Sequence, residues 1–218
     1  MRAKDDIIMR IRAARPDVSS DTEPGGHAIP RNYFRSPSIP EGIVDRFCER
    51  VADYKARVER VPAAGIPAAI ARALKDLDAT RAAVTDGLPR EWRTALSAAG
   101  IEVVIETPGR ELDIDALQNL DAVVTGCAVA IADTGTIILD GSAASGRRAL
   151  SLVPDTHICI VSVDDIVDGV PAALARLSPT RPLTWISGPS ATSDIELQRV
   201  EGVHGPRTLH VLVVDPSV

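Results

Sequence analysis

Residues 3–14 place Ile7, Ile8 and Ile11 on one face at i, i+3, i+4 spacing, which predicts a short amphipathic helix closed by Pro16. Residues 16–40 are rich in proline, glycine and serine and poor in aliphatic residues, the composition of an extended arm or linker. Within it, RNYFR (Arg31 to Arg35) carries two aromatic side chains able to dock on the domain or on a partner. From about residue 40 to 60, Ile43, Val44, Phe47, Val51, Tyr54 and Val58 recur at helical spacing, and GIPAAIARALKDL predicts a second helix.

The period then changes. RAAVTDG reads as a strand, PREWRTALSAAG as a helix stopped at Gly100, and IEVVIET as a strand, together a βαβ pattern. DIDALQNL predicts a further short helix, and DAVVTGCAVAIADTGTIILDG is strand-rich with a hairpin-like turn near residue 134. THICIVSV predicts a strand, DDIVDGVPAALARL a helix, and LTWIS and TLHVLVV the last strands. ICIV and LHVLVV are apolar at nearly every position, as strands are when helices cover both sheet faces. The fold class expected is α/β, with a mainly parallel central sheet flanked by helices and a helical N-terminal region.

Composition narrows the function classes. A chain of 218 residues suits one α/β domain. Its net charge of −6 and its two residues each of Trp, Tyr and Phe argue against nucleic acid, whose affinity rests on basic side chains meeting phosphates. No stretch approaches the roughly 20 apolar residues that span a bilayer. The N-terminus carries charges throughout and does not read as a signal peptide, so a cytoplasmic location is expected. Cys48, Cys127 and Cys159 lack zinc or iron–sulfur spacing, which predicts reduced thiols and no cofactor of the chain's own.

Three stretches carry candidate chemistry. Asp133-Thr134-Gly135 has the triplet of an aspartic protease loop, but such a site needs two carboxylates sharing a proton, and the α/β pattern is unlike that all-β fold. A turn between AVAIA and TIILD, with Gly135 at positive φ, accounts for Thr-Gly. In GSAASGRRALSLVPDTH, backbone N–H groups beside Arg147 and Arg148 suit a carboxylate or phosphate; an exposed, solvated arginine pair is the alternative. Ser187, Gly188, Pro189 and Ser190 follow a strand, and Ser193 and Glu196 have capping-box spacing with Asp194 in the first turn, so a helix start near a sheet end is expected there. Asp194 and Glu196 themselves complement that helix dipole. His204, within GVHGP and next to Gly205, has no evident structural duty and suits proton transfer near neutral pH. His157 reads as a residue at a sheet end.

Taken together, TGCAVAIADTGTIILD, GRRALSLVPDTHICIV and ISGPSATSDIELQRVEGVHGPRTLHVLVV closely resemble the lactate utilization protein C (LutC/YkgG) family, the LUD domain, over roughly residues 80–215. The resemblance implies a NagB/RpiA/CoA-transferase-like fold, with residues 1–40 as helix and arm, 41–78 as a helical start and 79–218 as the α/β core of the LUD domain. It implies a subunit of a bacterial system oxidising L-lactate to pyruvate, whose iron–sulfur clusters belong to partner subunits A and B. Under this reading the chain binds a small carboxylate or the partners' redox site. Asp133, Glu196 and His204 would handle protons, and Thr134, Gly135, Arg147, Arg148, Ser187, Gly188, Pro189, Ser190, Asp194 and Gly205 would line the ligand site. Whether the chain is itself an enzyme stays open. The family commonly has Glu-Thr-Gly where this chain has Asp133-Thr134-Gly135, and Thr-Ala-Asp where it has Thr192-Ser193-Asp194. A carboxylate one methylene shorter counts against covalent CoA-transferase chemistry. A stand-alone transferase or isomerase and a non-catalytic assembly subunit are the alternatives.

Overall fold

The structure, a computed structural model, describes residues 3–14, 41–107, 109–192, 200–201 and 205–216. The chain divides into a unit Met1–Tyr33 and a unit Phe34–Val218. In the first, α1 (Ala3–Ala13) forms where the isoleucine spacing predicts it, with Ile7 and Ile11 exposed. The proline-rich arm and RNYFR lie outside the described residues.

The larger unit is built on six strands: β1 (Arg57–Val61), β2 (Arg81–Thr85), β3 (Glu102–Glu106), β4 (Ala122–Gly126), β7 (Thr156–Ser162) and β12 (Thr208–Val214). They lie in the order β1-β12-β7-β4-β2-β3, and every pairing is parallel. The all-apolar pattern of β7 and β12 follows from burial on both faces. One face, with Ile158, Ile160 and Leu212, packs against α3 (Ile66–Asp76) and α4 (Arg90–Ala98). The opposite face, with Cys159, Val161, Val211 and Val213, packs against α2 (Ile43–Asp53) and a second sheet.

That second sheet holds β5 (Val129–Ile131), β6 (Thr136–Leu139), β8 (Ile166–Val167) and β9 (Thr184–Ile186), in the order β8-β5-β6-β9. β5 and β6 are the expected antiparallel hairpin around residue 134. Ala130, Ala132, Ile137 and Leu139 face α2 and the large sheet, while Val129, Ile131 and Ile138 face α6 (Val170–Arg176). The short α5 (Ile114–Gln118) is capped by Asp113, whose side chain accepts from the Ala116 N–H.

Three elements differ from the sequence expectation. The helix expected over 40–60 ends at Asp53, and residues 57–61 form β1. Lys55 sits at φ 67, and the left-handed residue turns the chain so that β1 pairs with the edge of β12. In DDIVDGVPAALARL the helix begins only at Val170. Ile166 and Val167 instead form β8, because as a strand they reach two different cores, one on each side of the second sheet. β11 (Val200–Glu201) pairs antiparallel with β10 (Ala191–Thr192), so a strand pair occupies positions next to the expected capped helix. Residues 193–199 lie outside the described residues.

β2 has β3 on one side and β4 on the other, which makes the β2/β4 boundary the topological switch point where open α/β sheets usually bind ligands. Here the chain occupies that crevice itself. The Gly87 N–H donates to the Ala143 carbonyl at 2.9 Å, the Gly126 N–H to that of Ala144 at 2.9 Å, and Thr85 Oγ to Ala144 at 2.7 Å. A Cβ on Gly87 would lie 2.4 Å from the Ala144 nitrogen, so glycine is required for this approach.

Phe47 is the largest α2 side chain in the core and is fully buried among residues of both sheets. Phe47→Ala is expected to cost about 3–5 kcal/mol, the range for truncating a buried aromatic. Urea denaturation monitored by circular dichroism checks this.

Candidate functional site

A cavity of about 530 Å³ opens beside the second sheet. Its walls come from β9 and the segment after it (Thr184 to Ala191), from Arg148, Ser151 and Leu152, and from Gly205 and Pro206 just before β12. His157 and Leu209, the second residues of β7 and β12, complete the lining. The Ser190 N–H donates to the Pro206 carbonyl at 2.8 Å, which ties the two glycine-bearing segments together.

Six predicted site residues therefore share this cavity: Arg148, Ser187, Gly188, Pro189, Ser190 and Gly205. Arg148 is exposed and has no carboxylate partner among the described residues. Its neighbour Arg147 goes elsewhere. Arg147 Nε donates to Glu106 Oε1 at 2.7 Å, and its terminal nitrogen reaches the Leu112 carbonyl. The hydrogen bond to Glu106 raises the Arg147 pKa against the opposing effect of burial. Arg147 lines a separate cavity of about 260 Å³ with Thr85, Glu106 and Glu111, at the carboxyl ends of β2 and β3.

Asp133, Thr134 and Gly135 stand outside the cavity that Arg148 lines but connect to it. Thr134 Oγ lies 2.6 Å from Thr136 Oγ, which lies 2.8 Å from Ser187 Oγ. This hydroxyl chain extends the β6/β9 pairing and links the Asp133 turn to the cavity wall. Gly135 (φ 58) packs on α2, where an added Cβ would come within 2.7 Å of the Arg50 carbonyl carbon. At Gly188 (φ 86) a Cβ would come within 2.6 Å of Tyr54 Cβ. Both glycines are needed where a turn presses on the end of one helix at positive φ.

Asp133 is held by α2 as well. Arg46 donates to Asp133 Oδ1 at 2.8 Å and to Asp168 Oδ1 at 3.0 Å. The hydrogen bond to Asp133 is the main reason the Arg46 pKa is raised. Asp194, Glu196 and His204 lie outside the described residues. No three His, Cys, Asp or Glu side chains converge as a metal site among the described residues, and no helix there is long and apolar enough to cross a membrane.

His157 is a polar side chain of the cavity that the sequence reading placed only at a sheet end. It is 1% exposed, and its Nε2 lies 2.8 Å from Thr125 Oγ on β4. Burial lowers its pKa to about 4, so the ring is neutral at pH 7. The available signal was a histidine inside an otherwise apolar, doubly covered strand, where a polar group requires a partner. Cys159, two residues on along the same face, is fully buried. Cys127 packs beside it, and its thiol pKa is raised well above the ordinary value by the hydrogen bond to Cys159 and by burial. A thiol held protonated in this way is a poor nucleophile at neutral pH, although Cys127 is only half-buried.

Two outcomes follow from this geometry. Gly188→Ala is expected to destabilise the fold by about 1–3 kcal/mol, through overlap with Tyr54 and strain at positive φ, whereas Ser187→Ala costs about 1 kcal/mol or less; urea midpoints compare them. His157 has a folded pKa of about 4, below its unfolded value of 6.5. Its contribution is therefore fully present above pH 6.5 and lost as pH falls toward and through 4, by roughly 3 kcal/mol in total. His157→Leu should remove this part of the acid sensitivity, read as the difference between wild-type and variant unfolding free energies across pH 4–7.

Comparison with known proteins places the chain. The family model of the LUD domain matches residues 46–214. Lactate utilization protein C of Deinococcus radiodurans is 50% identical over 191 residues, 86% of each chain. Lactate utilization protein C of Bacillus subtilis is 33% identical over 114 residues, covering 48% of this chain and 47% of that one. A crystal structure of a DUF162 family protein from Deinococcus radiodurans superposes with a TM-score of 0.66 at 46% identity, over 79% of this chain and 96% of that chain. The parallel six-stranded sheet with helices on its faces is consistent with the NagB/RpiA-like fold class. With most of its length matched by the family model and by a close relative, this chain belongs to the LUD domain family.

Proposed function

We propose that this protein serves lactate utilization as the LUD-domain subunit of a lactate-oxidising system and binds a small carboxylate in the cavity of about 530 Å³. The role follows from its relatives, which carry the name lactate utilization protein C. The observation that carries the binding assignment is Arg148, an arginine without a carboxylate partner among the described residues, which lines the same cavity as Ser187, Gly188 and Ser190. An arginine guanidinium without a partner suits a carboxylate, which it can meet with two parallel hydrogen bonds. In this reading the redox centres are iron–sulfur clusters on partner subunits A and B, and this chain supplies carboxylate recognition. Asp133, engaged by Arg46, positions the turn that joins α2 to the cavity wall, a duty different from that of a covalent nucleophile.

Calorimetric titration of the full chain with L-lactate tests the binding, and Arg148→Ala is expected to weaken it at least about tenfold, the loss of one charge-assisted contact. Deleting the gene should abolish or slow growth of the host bacterium on L-lactate as sole carbon source. Unimpaired growth overturns the physiological assignment.

A further inference from the structure

In α1 (Ala3–Ala13), Ile7, Met9 and Ile11 are all more than half exposed, and among the described residues no other element holds three large apolar side chains in the open. At 3.6 residues per turn, Ile7 and Ile11 lie within about 40° of each other around the helix axis, with Ile8 beside them. Single exposed apolar residues are ordinary on a protein surface, but a stripe of them along one helix marks a contact face. A helix of 11 residues also needs such a contact, because isolated helices below about 12–15 residues are marginal in water and depend on burying an apolar stripe. The charges of α1 are ordered along its axis. Asp5 and Asp6 lie in the first turn, and Arg10 lies one turn beyond Asp6, with its guanidinium 2.9 Å from that carboxylate. Asp6 and Arg10 therefore share one flank of the isoleucine stripe, and both stay open to solvent.

We infer that α1 is a self-association element, pairing antiparallel with α1 of a second copy of this chain, isoleucine stripe against isoleucine stripe. A two-fold axis across the middle of the helix brings the same flank of both copies together, so Asp6 of each copy meets Arg10 of the other. The acidic start of one helix then lies beside the basic half of its neighbour, and the two helix dipoles oppose. A parallel pair puts Asp5 and Asp6 of both copies at one end and Arg10 of both at the other, where like charges repel. Charge order thereby favours a second copy as the occupant, and the antiparallel arrangement over the parallel one. The contact is one stripe of about three turns per chain, so the dimer is weak and concentration-dependent.

Sedimentation velocity of the full chain over a range of concentrations tests this. The wild type is expected to shift from monomer to dimer as concentration rises. Ile7→Asp should weaken the association at least about tenfold, because it places a charge in the buried stripe. Reversing one charge alone, Asp6→Arg or Arg10→Asp, sets like charges against each other across the two-fold axis and should weaken it about fivefold. Mixing those two single variants in equal amounts should restore association as a heterodimer, and the double variant Asp6→Arg/Arg10→Asp should restore the homodimer. The mixture separates contact between copies from the ion pair within one helix, since both single variants lack that pair and mixing does not return it. A wild type that stays monomeric overturns the inference, as does a dimer that Ile7→Asp leaves intact or a mixture no more associated than its two components.

Discussion

Gly135 and Gly188 bring two turns so close to the end of α2 that a single added Cβ at either would meet helix backbone or Tyr54 at under 3 Å. The cavity wall that follows β9 is placed by this approach. The first turn joins β5 to β6 and carries Asp133; the second leaves β9 and forms the cavity wall. Arg46, one helical turn before Arg50, clamps Asp133 and Asp168 from the same helix. The hydroxyl chain from Thr134 through Thr136 to Ser187 then connects the turns to each other. A helix that reads in sequence as a simple amphipathic element thus sets the position of two polar loops. Packing at this distance leaves little slack, because protein interiors are dense and transmit small displacements.

The cavity of about 530 Å³ lies away from the switch point that the parallel sheet provides. Between β2 and β4 the segment 143–144 is hydrogen-bonded to the strand ends, and Gly87 admits it where no side chain fits. The second sheet creates the alternative site, because β9 is its edge strand and continues directly into Ser187, Gly188 and Ser190. Arg147 and Arg148 engage different partners. One balances the nearly buried Glu106 near the carboxyl end of β3, and the other reaches the cavity beside β9. Adjacent charges thereby acquire different duties, one in holding the fold and one open to an anion.

Much of the fold was legible in the residue pattern. The all-apolar strands ICIV and LHVLVV, the helix in GIPAAIARALKDL, the Gly100 stop and the hairpin at Gly135 all appear as expected. The exceptions have a common cause. Residues 57–61 and 166–167 fall in stretches whose pattern predicts helix, yet each forms a strand, at the edge of β12 or of β5. Short apolar runs fit either period, and only the position of a neighbouring strand decides between them.

By itself, the sequence determined the α/β class, the family, and the set of glycine, serine and arginine positions from which the cavity is drawn. These depend on local chemistry: spacing, turn residues and residue type. Tertiary structure alone decided which of them meet. Arg148 joins Ser187 to Ser190 while Arg147 turns to Glu106, and Asp133 is engaged by a helix some eighty residues earlier in the chain. His157 finds its hydrogen-bond partner in Thr125 on the adjacent strand, 32 residues away. Partners set by strand register and by loop direction depend on how the whole chain packs, and a single residue pattern does not carry that information.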